Sequence, residues 1–119
     1  MDFTAENIKD TLIVTIGGEL DDHAAKKIRQ RLDYTLYRKD IKNIIFDLTK
    51  LELMDSAGIG LLVGRYKQIK AKNGKVNIVT SKNTNILKLI KMSGVANLFG
   101  CFDNIADAKS NLRDTQRIK

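Results

Sequence analysis

Proline and tryptophan are absent from this 119-residue chain, and cysteine and histidine occur once each. Without proline there is no rigid linker to mark a second domain, and no repeat or low-complexity tract takes that part. One domain spanning 1–119 is therefore expected, with its packed core over about residues 2–113. The lone Cys101 permits no internal disulfide, which fits a reducing cytoplasm, the expected location. With His23 and Cys101 as the only soft donors, a zinc site would need mostly carboxylates, so no metal is expected. No apolar run approaches the ~20 residues of a membrane span. The first residues, with Asp2, Glu6, Lys9 and Asp10, lack the basic and then apolar order of a signal peptide.

Acidic residues are also missing locally: none lies between Asp55 and Asp103. Residues 1–55 carry 9 basic and 11 acidic side chains and residues 56–119 carry 12 and 3, so the excess of +7 arises wholly in the second half. Such a field suits an acidic partner, a nucleotide or a nucleic acid. Because only Tyr66 is interleaved among the lysines as a stacking group, solvated helix faces are the simpler reading.

Short apolar runs alternate with helical periods, which predicts a layered α/β domain of four or five strands and about four helices. Phe3–Ile8 and Thr11–Ile16 are expected to form an edge hairpin turning at Lys9-Asp10, the second strand ending at Gly17-Gly18. Asp21 and Asp22 offer N-caps to a helix whose apolar stripe is Ala25, Ile28, Leu32 and Leu36. Ile41–Leu48 reads as a strand covered on both faces. A helix from Ser56 is expected to turn Ile59, Leu62, Val63, Tyr66 and Ile69 inward and to stop at Asn73-Gly74. Val76–Thr80 is a further strand, and 85–92 a helix with Leu87 and Ile90 inward. Phe99–Phe102 is a last short strand, and a terminal helix capped by Asn104 buries Ile105, Ala108 and Leu112.

The segment Met54-Asp55-Ser56-Ala57-Gly58-Ile59-Gly60 holds a hydroxyl between a carboxylate and two glycines at a helix start, where backbone N–H groups lack partners and attract anions. Two glycines cost a helix ~1 kcal/mol each, so they are expected to clear the surface around Ser56 for an approaching partner. Gly64 is expected to let the helix lie close to the sheet. Catalysis by Ser56 would need a base and an oxyanion hole; His23 is the only histidine, and Met54 stands where Gly-x-Ser-x-Gly requires glycine. A dinucleotide loop would join strand and helix directly, whereas here the strand is expected to end ten residues before Gly58. No enzyme is read from these residues.

Gly18-Glu19-Leu20-Asp21, the segment from Met54 to Gly60, then Gly64-Arg65-Tyr66-Lys67-Gln68-Ile69-Lys70 and Met92-Ser93-Gly94, taken together, resemble the STAS domain of bacterial anti-sigma factor antagonists. The resemblance covers about residues 2–115 and implies a mixed sheet with helices packed on it. It implies that Ser56 is a phosphorylation site. It also implies that the unphosphorylated protein binds an anti-sigma factor serine kinase and so releases a sporulation sigma factor. ATP would be carried by that kinase, with no cofactor on this chain, and a PP2C-type phosphatase would reset Ser56. Asp21, His23, Asp55, Ser56, Ala57, Gly58, Ile59 and Gly60 are the expected partner-binding residues. Direct DNA binding and membrane association are not expected. The alternatives are an antagonist in a general stress sigma pathway, and a basic nucleotide- or nucleic-acid-binding module.

Overall fold

A computed structural model describes the backbone of residues 2–117. The chain runs β1 (Asp2–Ile8), β2 (Thr11–Leu20), α1 (Asp22–Arg38), β3 (Asn43–Asp47), β4 (Leu51–Met54) and α2 (Ser56–Lys70). It continues with β5 (Val76–Val79), α3 (Thr84–Met92), α4 (Val95–Leu98), β6 (Gly100–Phe102) and α5 (Ile105–Arg117). Among the described residues that is one more strand than the upper expectation and one more helix. Strand order is β1-β2-β3-β5-β6, with β4 paired to β2. The β1–β2 pair is antiparallel and the other pairs are parallel, so the sheet is mixed.

The hairpin turns at Lys9, which adopts a left-handed φ of 58°. Contrary to expectation, β2 does not stop at its glycines. Its first half, Thr11–Thr15, lies beside β3, and Gly18–Leu20 lies beside β4. The register shifts between Gly18 and Glu19, and Gly18 has φ 75°, a backbone state that glycine tolerates without a steric penalty. The glycines bend the strand from one neighbour to the next. The run read as Ile41–Leu48 is ordered as a strand only over Asn43–Asp47, and β4 follows it as a separate, unanticipated strand.

Both faces of the sheet are covered. Ile44 and Phe46 of β3, with Val76 and Ile78 of β5, enter the larger core beneath α1, α2 and α3. Ile45 and Val79 point the other way and pack with Ile13 on Ala108 and Leu112 of α5. This is why the strand residues are contiguous in their hydrophobicity. Asn77, fully buried on the α5 side, donates through Nδ2 to the Ala108 carbonyl at 3.0 Å and to Asn111 Oδ1 at 3.1 Å. In α3 the buried residues are Ile86 and Ile90, and the expected Leu87 is only partly covered. The terminal helix keeps its backbone through Arg117; residues 118–119 lie outside the described residues.

Candidate functional site

Parallel pairing of β2 with β4 places Leu20 opposite Met54, and Asp55 N–H donates to the Leu20 carbonyl at 3.4 Å. Neighbouring strands lie ~4.8 Å apart, so the residues that follow, Asp21 and Asp55, leave the sheet side by side. Each caps a helix. Asp21 Oδ1 accepts from Ala24 N–H at 2.9 Å to open α1, and Asp55 Oδ1 accepts from Ala57 N–H at 2.9 Å to open α2. Ser56 is therefore the first helical residue rather than the cap. Its side chain is exposed, and among the described residues its hydroxyl makes no hydrogen bond.

The glycines divide differently from the expectation. A Cβ on Gly58 would come within 2.5 Å of Met54 Cγ and 3.0 Å of Leu20 Cδ2, so this buried glycine seats α2 against the sheet edge. Gly60 and Gly64 have nothing within 4 Å of such a Cβ. Close approach of the helix is thus the work of Gly58, not Gly64, and open space is left at Gly60. The inward face of α2 also differs: Leu61, Leu62, Arg65 and Ile69 are buried, while Ile59, Val63 and Tyr66 are partly covered. Tyr66 packs on Phe99 with ring centroids 5.0 Å apart. Because β4 ends at Met54, a strand does lead almost directly into α2. The glycines nevertheless sit inside the helix, where they cannot form the loop that a pyrophosphate needs.

Of the residues read from the sequence, Asp21, Asp55, Ser56, Ala57, Ile59 and Gly60 come together at the adjacent starts of α1 and α2, with Gly58 beneath them. His23 is exposed in the first turn of α1. A groove of about 270 Å³ runs between the helices, lined by Asp22, Ala25, Lys26 and Arg29 of α1 and Ala57, Gly60 and Leu61 of α2. Lys26 and Arg29 were not anticipated; a stripe at positions 22, 25, 26 and 29 has the spacing of one helical face and is the signal that could have found them. Farther along, Arg65 is 6% exposed and its Nη1 lies 3.5 Å from Asp33 Oδ1, which also accepts from Gln68 Nε2 at 3.3 Å. Burial pulls the Arg65 guanidinium below its usual pKa; Asp33 opposes that shift and Arg29 adds to it. No helix among the described residues is long and apolar enough to cross a membrane.

The geometry is that of a small α/β scaffold presenting an unbonded serine hydroxyl at a helix start. A family model described as the STAS domain matches residues 2–108. The anti-sigma F factor antagonist of Paenibacillus polymyxa is 35% identical over 107 residues, covering 90% of this chain and 91% of that protein. The solved structure of the anti-sigma factor antagonist SpoIIAA in its unphosphorylated form is similar with a TM-score of 0.84 and 25% identity, over 95% of this chain and 97% of that one. The phosphorylated form of the Bacillus cell fate determinant SpoIIAA gives 0.74 and 25%, over 92% and 98%. The chain belongs to the STAS-domain family and, within it, to the anti-sigma factor antagonists.

Proposed function

We propose that this protein binds an anti-sigma factor serine kinase of the sporulation type through the face around Ser56, and that phosphorylation of Ser56 by that kinase separates the pair. Binding by the unphosphorylated form then releases the sigma factor. A PP2C-type phosphatase restores the hydroxyl, and ATP belongs to the kinase. The observation that carries this reading is the exposed Ser56 hydroxyl without a partner among the described residues. Support also comes from SpoIIAA, a relative solved in both phosphorylation states.

Phosphoserine adds roughly −1.5 to −2 charges at neutral pH. The adjacent Ala57 N–H, which could otherwise help to compensate that charge, is already held by Asp55. A phosphate ~5 Å from the Asp55 carboxylate meets a repulsion of about 1–3 kcal/mol per charge at an effective dielectric of ~20–80. A partner surface shaped for a neutral hydroxyl adds the cost of desolvating the dianion, and each ~1.4 kcal/mol is tenfold in affinity. Release is therefore local, without refolding of residues 50–70.

The test is incubation with an anti-sigma F serine kinase and ATP, followed by phosphosite mapping by mass spectrometry. Ser56 is the expected acceptor. Ser56→Ala should bind and not be released by ATP, and Ser56→Asp should bind poorly. Phosphate on another residue, or Ser56→Asp binding as tightly as the parent, would refute the switch.

A further inference from the structure

The geometry points to the α1–α2 groove as a receptor for one acidic side chain of the protein partner, held between Lys26 and Arg29, an inference that rests on the partner-binding role proposed above. Three observations carry it. First, the positive charge here is uncompensated: among the described residues Lys26 and Arg29 make no hydrogen bond or ion pair. Arg29 lies near enough to Arg65 for their like charges to interact, and buried Arg65 has Nε and Nη1 without a hydrogen bond. Its one carboxylate, Asp33, sits at 3.5 Å and is shared with Gln68. Asp22, at the end of the groove nearest Ser56, is the one acidic lining residue and leaves the Lys26–Arg29 end basic.

Second, the groove has the size of a side chain. At about 270 Å³, close to the lower end of the ~300–1,000 Å³ of pockets that hold small ligands, it has room for a glutamate or aspartate side chain. Gly60 leaves the wall open, with nothing within 4 Å of where its Cβ would stand. Third, Ala57 and Gly60 belong both to this groove and to the face around Ser56, so a partner seated over Ser56 already covers the groove mouth. A bound carboxylate would then be desolvated and matched by two cations, the arrangement in which charge pairs set partner choice.

Binding of the unphosphorylated chain to a purified anti-sigma F factor with a non-hydrolysable ATP analogue, which leaves Ser56 unmodified, measures the effect. Lys26→Glu and Arg29→Glu, which reverse the charge of the groove without touching the face around Ser56, should each weaken binding about tenfold or more. Because Lys26 and Arg29 are exposed, both variants should keep the parent's melting temperature, separating lost contact from misfolding. Changing the partner's matching carboxylate to lysine should restore binding to Arg29→Glu. Lys70→Glu, the same charge change on an exposed α2 residue outside the groove, should leave affinity within about twofold. Parent-like binding by both groove variants, or an equal loss with Lys70→Glu, would overturn the inference while leaving the Ser56 reading intact. Saturable ATP binding to this chain alone, lost in Arg29→Glu, would make the groove a nucleotide site and overturn it too. Absence of any binding by the parent chain would remove both readings.

Discussion

Two glycines two positions apart in α2, Gly58 and Gly60, should respond oppositely to the same added methyl. At Gly60 a Cβ meets nothing within 4 Å, so only the helix term operates. Alanine in place of glycine inside a helix is worth ~0.5–1 kcal/mol. For a domain of this size that is roughly 2–4 °C in melting temperature, upward. Gly58→Ala receives the same helix term, but its Cβ lands 2.5 Å from Met54 Cγ, 2.9 Å from Sδ and 3.0 Å from Leu20 Cδ2. Met54 is flexible, yet it is buried and Leu20 is fully so, leaving little room to yield. Overpacking of this kind costs about 1–3 kcal/mol. The helix term cancels between the two variants, so their difference isolates packing: Gly58→Ala should melt roughly 4–12 °C below Gly60→Ala. Reversible urea unfolding beside thermal circular dichroism reads both. Equal stabilities would show that Gly58 does not seat the helix. A lowered melting temperature for Gly60→Ala would show that the space beside it is not open.

Asp55→Ala should lose ~1 kcal/mol by freeing the Ala57 N–H, measurable as a lower urea midpoint at unchanged slope. Arg65→Met should leave stability unchanged or raise it, because it removes a half-satisfied buried cation and leaves Asp33 partly exposed to water. A loss above ~3 kcal/mol in urea unfolding would mean that the guanidinium is fully satisfied in the native protein. Burial pushes the Cys101 thiol up from its ordinary pKa, and the thiolate is the reacting form. Iodoacetamide should therefore alkylate the folded chain more slowly than the urea-unfolded chain at pH 8, with a pH–rate midpoint displaced upward. Equal rates would contradict this.

Part of the site was legible because helix starts carry local chemistry. Asp21 is a good cap before a helix and acts as one; Asp55 caps α2 in the same way, a role its neighbour Ser56 masked in the sequence. The hairpin and the run Ile44-Ile45-Phe46 were legible because β-branched and apolar residues with little helical period have few other uses. Other features were not. The strand β4 has its buried residues, Leu51 and Met54, only at its ends, which is neither a strand nor a helix period. Gly17-Gly18 reads locally as a stop, whereas β2 continues because β4 supplies the pairing that β3 no longer does. The inward face of α2 turned to include Leu61 and Arg65 because this helix is covered by α1 as well as by the sheet. The aliphatic stem of an arginine can join such a contact.

Composition and local pattern alone determined a layered α/β domain, a hydroxyl at a helix start at Ser56, and the aspartate that opens α1, because each depends on residues near in sequence. Only tertiary structure decided that Asp21 and Asp55 emerge side by side, that Gly58 packs while Gly60 stays open, and that Lys26 and Arg29 face a groove next to Ser56. Those outcomes follow from the pairing of β4 with β2, a contact between segments about thirty residues apart that no local preference encodes.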